Sequence, residues 1–548
     1  MSGTCHIDTF VLDNMPPAEL MPDFINLDRL GYPERLNAAA ELVDRNVAEG
    51  RGDRPALVAP GGVRWTYADL ARTIDKMANA LTGKLGLVPG NRILLRSANN
   101  PTKVALYMAI IKAGGIVVAT MPLLRSRELV QVLDKAKIGL ALCDATLAEE
   151  MEKAAGAAAE RPRIVTWSGT AGGELGALLE GSAETFDAAP SRGDDPCLLG
   201  FTSGTTGLPK ATIHTHRDLL VICDCYSREV LRPNEDDIFI GSPPLAFTFG
   251  LGGLVLFPFR VGASAVLLEK AGPPDLAKAI GEYKATISFT APTAYRAILA
   301  KADEYDLSSL RKCVSAGETL PKPTFDAWYE KTGIRLMDGI GATEMLHIFI
   351  AAREDEIRPG STGKPVPGYE AKVIDGEGNE LPRGTPGRLA VRGPIGCRYL
   401  ADERQAVYVE KGWNVTGDTY VEDEDGYFWF QARNDDMIVS AGYNIAGPEV
   451  EAALLAHPDV MEAGVVGAPD PDRGRIVKAY VVLAEGHEAS PALAEALQEH
   501  VKQELAPYKY PRSIVFVDAL PKTGSGKLQR FALRQKAQEE AAKKGENA

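Results

Sequence analysis

Short apolar runs alternating with helical ones constrain this chain more than any other feature. "NRILLRSAN" and "GGIVVATMP" read as strands around the helical "PTKVALYMAIIKA". The pattern returns in "SAVLLE", "ATISFTAP" and "KCVSAGE", with the helical "PDLAKAIGEYK" between the first two. Strand–helix–strand alternation predicts an α/β architecture with mixed, mostly parallel sheets. At 548 residues the chain exceeds a single hydrophobic core, so more than one domain is expected. The texture changes near Val366, where "EAKVIDGEGNEL" and "PGRLAVRGP" read as a hairpin of a β-rich subdomain. Beyond Asp435 come an acidic helix from Glu449 to His457, the strands "EAGVVGAPD" and "KAYVVLAEG", a helix from Ala492 to Leu505, and "RSIVFVDAL". The expected division is a large N-terminal domain over 1–434 and a small α+β domain over 435–548. The run from Met151 to Ala189 shows little strand signal and reads as surface helix and loop. The charged tail from Arg534 shows no apolar anchors and is expected to fray.

Charge narrows the function classes. A formal net charge of −14 speaks against a nucleic-acid partner and against attraction to anionic membranes. The N-terminus has no basic-then-apolar signal pattern and no apolar run reaches about 18 residues, so a cytoplasmic protein is expected. The seven cysteines are scattered; Cys223 and Cys225 are read as buried reduced thiols. His214 and His216 are read as structural.

The stretch "GFTSGTTGLPKATIHTH" crowds glycine, hydroxyl residues and Lys210 into one run, a composition suited to cradling phosphate. It is not a Walker loop, because Lys210 follows Leu208 and Pro209 rather than glycine, and "PKTGSGKLQR" has Leu528 after its lysine. Read together, an ordered set of motifs resembles the adenylate-forming superfamily of acyl- and aryl-CoA synthetases. "TSGTTGLPK" is similar to its phosphate loop, "GATE" to its threonine–glutamate motif, and "TGD" to its ribose motif. "RNDD" is similar to its hinge, with "GYNIAGPEVE" after it, and "PKTGSGK" to its C-terminal lysine motif.

The resemblance implies an enzyme that joins a carboxylate to the α-phosphate of ATP, releases pyrophosphate, and passes the acyl group to coenzyme A. It implies phosphate contacts from Thr202, Ser203, Gly204, Thr205, Thr206, Gly207 and Lys210. Thr343 joins them, and Glu344 holds Mg²⁺, a hard cation that prefers carboxylate oxygen. Gly317, Glu318, Thr319, Asp338, Gly339 and Ile340 are expected around the adenine, and Asp418 and Arg433 at the ribose. Lys527 is the expected catalytic ammonium, carried on a mobile domain that turns about Asp435. Gly442 and Tyr443 are expected on the path of coenzyme A.

The acid is expected between "PPLAFTFGLGG" and "MDGIGATEMLHIF", with Phe247, Phe249, Gly250, Ile340 and His347 lining a flat slot suited to a ring. Ile340 departs from the tyrosine most members carry there, and with "TEMLHIF" it is similar to the benzoate-type ligases, 2-aminobenzoate ligases included. Two other readings stay open: an enzyme that loads a carrier protein, and a non-catalytic acyl-adenylate-binding protein. So does the choice between monomer and homodimer.

Overall fold

The computed structural model describes residues 3–202, 209–433, 436–440, 443–470, 474–505, 507–522 and 527–546. Two large sheets carry the alternating runs. In the six-stranded sheet the order is Arg163–Trp167, Leu140–Asp144, Arg92–Arg96, Ile116–Thr120, Pro196–Thr202, Lys210–Thr215. All neighbours are parallel except the last pair. The nine-stranded sheet runs Lys364–Pro365, Ile348–Ala351, Leu336–Gly341, Lys312–Ala316, Ile287–Thr290, Ile238–Gly241, Ser264–Val266, Pro55–Ala59, Val63–Thr66. Its middle is parallel and both ends are antiparallel.

The helix Pro101–Lys112 is buried on every side, which explains why its sequence is apolar all round. Asn100 caps it through its side chain and Pro101 starts it. Its two lysines need partners to be buried. Lys112 has Asp44 and Asp75. Among the described residues Lys103 donates to the Ser97 carbonyl at 2.7 Å, and burial pulls its ammonium down to about 7.

A five-stranded β unit follows, with Glu370–Ile374 and Gly387–Arg392 forming the expected antiparallel pair. The last described sheet holds Val460–Asp470, Gly474–Leu483 and Ser513–Phe516, with the helices Gly447–Leu455, Pro491–Glu504 and Arg530–Glu546 around it. This is the anticipated class: a large mixed-sheet domain with a β-rich subdomain, and a smaller α+β domain. The expected boundary residues, Asn434 and Asp435, lie outside the described residues.

Two expectations are corrected. Arg163–Trp167 is an edge strand, inside the stretch read as helix and loop; Trp167 is buried and holds it to the sheet. The tail does not fray from Arg534, because the helix Arg530–Glu546 buries Leu533 and Ala537 one turn apart. Glu540 then pairs with Lys478 and accepts from the Tyr480 hydroxyl. Leu533 lies just before the stretch judged on its charge.

Among the described residues, no helix is long and apolar enough to cross a membrane. All seven cysteines are free and six are buried, Cys223 and Cys225 included.

Candidate functional site

The phosphate motif sits on a β-hairpin. Pro196–Thr202 pairs with Lys210–Thr215, and Thr202 opposite Lys210 closes the ladder where the loop begins. Ser203, Gly204, Thr205, Thr206 and Gly207 lie outside the described residues. The Thr343–Glu344 turn rests directly on this hairpin. A Cβ at Gly200 would lie 2.8 Å from the Thr343 methyl, so glycine is what lets the turn seat. His214, buried and structural as expected, donates from Nε2 to the Thr343 carbonyl at 2.8 Å. His216 is likewise buried, and its Nδ1 accepts from the Ala38 amide at 3.1 Å.

Glu344 is buried, and the Lys210 ammonium reaches its Oε1 at 3.3 Å. Tyr399, which no motif flagged, also donates its hydroxyl to Oε1. The backbone then strains: Leu346 holds φ +65°, ψ −33° between Glu344 and His347. A leucine there costs about 1–3 kcal/mol and persists because its surroundings enforce it.

The residues expected around the nucleotide gather at the carboxyl ends of neighbouring parallel strands, where open α/β sheets bind ligands. Ser315 and Ala316 stand beside Asp338 and Gly339 in register, and the chain leaves through Gly317, Glu318 and Thr319. Gly317 has φ +90°, a conformation that side chains rarely adopt. Asp338 accepts from Ser315 Oγ at 3.3 Å, and desolvation by its walls pushes its carboxyl up to about 8 against the Ser315 and Gly339 hydrogen bonds.

That raised value has a stability consequence. Between an ordinary 3.8 and about 8 the folded state holds a proton that the unfolded state has lost, so stability falls as pH rises across that window. Asp338→Asn should remove this slope. Denaturant midpoints at pH 5, 6.5 and 8 should diverge from wild type, with the variant increasingly the more stable; parallel curves would refute the assignment.

Asp418 is buried at the middle of a long strand, across from Arg433, whose Nη1 donates to Oδ1 at 3.1 Å. Burial raises the Asp418 carboxyl, and Arg433 opposes that. Lys527 comes to the same place from the small domain. A Cβ at Gly317 would lie 3.3 Å from Lys527 Cε and 3.7 Å from its Nζ. The lysine keeps solvent contact in a cleft whose walls lower its pKa through desolvation. Glu318 and Asp418 favour its charge and Arg433 opposes it. Asp435 and Gly442, on the expected hinge and coenzyme A path, lie outside the described residues; Tyr443 starts the strand Tyr443–Ile445.

On the acid side an aromatic cage encloses His347. Phe257 meets its ring edge-on at 4.7 Å, Tyr226 lies at 5.4 Å and Phe249 at 5.7 Å, while Phe289 backs Phe249 at 5.5 Å. Burial holds the imidazole down at about 3, so it is neutral at any working pH. Neither ring nitrogen makes a well-formed hydrogen bond among the described residues, although the Phe249 backbone lies close enough to favour its protonation slightly against burial.

The glycines make this packing possible. A Cβ at Gly252 would lie 2.4 Å from the His347 ring, and one at Gly253 2.6 Å from Phe289. At Gly250 it would meet the Pro244 carbonyl at 2.3 Å. Phe247, half-buried, accepts the Leu251 amide at its carbonyl, and no described ring contact includes it. Ile340, also half-buried, faces Ile350 across the antiparallel strands. The cage residues missed from sequence are Tyr226, Phe257 and Phe289. The neighbouring glycines were the available signal.

Comparison with known proteins decides the family. The AMP-binding enzyme model matches residues 44–399, and the AMP-binding enzyme C-terminal domain matches 449–527. This chain belongs to the AMP-binding enzyme family. A benzoate–CoA ligase of Thauera aromatica is 38% identical over 95% of this chain and 98% of its own. The solved structure of an anthranilate CoA ligase, AuaEII, in complex with anthranoyl-AMP matches with a TM-score of 0.90 at 36% identity. That match covers 94% of this chain and 99% of the other. A benzoate CoA ligase from Burkholderia xenovorans matches with a TM-score of 0.84 at 32% identity, over 91% and 99% of the two chains. Within the AMP-binding enzymes, this protein falls among the AMP-forming acid–thiol ligases, which work with ATP, Mg²⁺ and coenzyme A.

The residues fit a hard divalent cation. Glu344 and Thr343 offer oxygen ligands. Both hydrogen bonds to Glu344 fall on Oε1, leaving Oε2 without a protein donor among the described residues.

Proposed function

We propose that this aryl-CoA ligase activates a benzoate-type acid, with 2-aminobenzoate ahead of benzoate and hydroxybenzoates. The observation that carries the reading is the set of aromatic rings packed around a neutral His347, whose two nitrogens make no well-formed hydrogen bond among the described residues. Aromatic faces suit a planar ring. An unpaired imidazole in a dry site suits a substrate that brings one polar substituent, because a buried polar group left unpaired costs about 1–3 kcal/mol. The likeness to the anthranilate ligase supports the amino-substituted ring.

In this reading an acid carboxylate oxygen attacks the α-phosphorus, the bond to the β-phosphate oxygen breaks, and pyrophosphate leaves. Coenzyme A's thiol then attacks the acyl carbon, giving up its proton, and AMP leaves. When bound, Mg²⁺ supplies positive charge to the triphosphate oxygens. The chain's own part is to position and neutralise. Lys210 and the hairpin loop hold the phosphates, Asp418 accepts from the ribose hydroxyls, and Lys527 stands where the acid and α-phosphate meet. Rotation of the small domain about Asp435 withdraws Lys527 and opens the path past Gly442 and Tyr443 for the thiol.

The test is a coupled assay across benzoate, 2-aminobenzoate, hydroxybenzoates and short linear acids. We expect kcat/KM to be highest for a ring acid with an ortho amino group. Preference for linear acids would overturn the ring reading; equal values for benzoate and 2-aminobenzoate would overturn the role given to His347.

A further inference from the structure

Glu344 is held by a residue outside every motif that identifies the site. The Tyr399 hydroxyl donates to Glu344 Oε1 and accepts from the Lys210 ammonium. Lys210 Nζ also lies 4.5 Å over the Tyr399 ring and 5.7 Å over that of Tyr408. Tyr399 itself is tightly fixed. Its flanking residues add to the strand that leaves the phosphate loop, with the Ile213 amide donating to Arg398 O at 2.7 Å and the Leu400 amide to Ala211 O at 2.8 Å. Its own amide donates to Gln405 Oε1 at 2.9 Å, and its ring meets Tyr408 edge-on at 5.8 Å. A carboxylate oxygen can only accept, so in this contact the phenol hydroxyl is the donor. Lys210 stands on the last rung before the loop, with its side chain one-fifth exposed.

We propose that Tyr399 is a positioning residue for Glu344, fixing Oε1 so that Oε2 meets the cation–triphosphate pair, and that it parks Lys210 on that carboxylate until nucleotide draws the ammonium away. The inference rests on the adenylating reading of the site. It divides labour between two neighbours: Tyr399 governs the metal and Lys210 governs the phosphates.

The test uses the full chain with Mn²⁺ as the metal probe and α,β-methylene-ATP as the nucleotide. Free Mn²⁺ is read by electron paramagnetic resonance, and metal-free nucleotide affinity by calorimetry in EDTA. Losing a hydrogen bond to a charged group should weaken Mn²⁺ binding about tenfold in Tyr399→Phe, with metal-free nucleotide affinity held within about twofold. Lys210→Met should do the reverse, weakening the nucleotide about tenfold and sparing Mn²⁺. Unchanged Mn²⁺ affinity in Tyr399→Phe, or the same combined loss in both variants, would overturn the proposal. Should Tyr399→Phe not fold, Lys210→Met decides: retained Mn²⁺ affinity supports Tyr399 as the holder of Glu344, and its loss overturns that role. Wild-type protein that binds no nucleotide would instead sink the adenylating reading itself.

Discussion

Lys527→Ala is expected to lower acid-dependent pyrophosphate release by about 10²–10³, while supplied aryl-AMP is still converted to thioester. The expectation follows from where the side chain stands. Its Cε and Nζ lie 3.3 and 3.7 Å from a Cβ placed at Gly317, in the cleft that Asp418 and Glu318 also face. A carboxylate approaching a triphosphate meets like charge, and charge builds further as the new bond forms. At about 4 Å and an effective dielectric near 20, one ammonium contact is worth roughly 4 kcal/mol before desolvation. The cleft walls lower the ammonium's pKa in the folded state while the side chain stays exposed to solvent. The same lowering means that a rising pH discharges Lys527 before an ordinary lysine at 10.5, so adenylation should lose rate on the alkaline side while thioester formation keeps it. Equal loss of both half-reactions in Lys527→Ala would remove the lysine from the first step alone. A shared alkaline limb would do the same.

Much of this was legible because the chemistry is carried by local patterns. The glycine–hydroxyl run read as a phosphate cradle, and the structure sets its ends, Thr202 and Lys210, opposite each other as the last rung of a hairpin. The apolar runs named the sheet strands because burial on both faces leaves few polar positions in them. What stayed hidden depends on contacts across long stretches of chain. Tyr399 and Glu344 are 55 residues apart, and nothing near Tyr399 signals a carboxylate. The cage around His347 draws Tyr226, Phe257 and Phe289 from three separate segments, so a reading built on Phe247 and Phe249 named one of the rings near His347 and none of these three. Arg163–Trp167 was missed for another reason. An edge strand is half-exposed and mixes arginine and threonine with its apolar residues, so composition alone does not separate it from a loop.

Asp218→Ala should destabilise the protein by about 3–5 kcal/mol, the range for a buried ion pair robbed of one partner. Asp218 and Arg398 are both buried, with Arg398 Nη1 donating to Oδ2 at 2.7 Å. Asp218 also accepts the Thr215 amide at 3.0 Å in a capping box, and His214 Nδ1 lies 3.7 Å away. Arg398 packs its guanidinium 4.6 Å over the Phe24 ring, so removing Asp218 strands a cation in the interior. Burial works against the Asp218 carboxylate, yet Arg398 beside it holds its pKa below the ordinary 3.8. The pair's contribution is therefore fully present above that value and is lost only as pH falls through the lower folded one. The location turns a stability effect into a functional one. Arg398 precedes Tyr399, and Asp218 caps the helix that follows the phosphate hairpin, so the pair fastens both sides of the Glu344 site. The deciding measurement is a double-mutant cycle. Asp218→Leu with Arg398→Met removes both charges at similar volume and should recover most of the lost denaturant midpoint. If the double variant is as unstable as the sum of the single ones, the cost lies in lost packing or capping and not in the stranded charge.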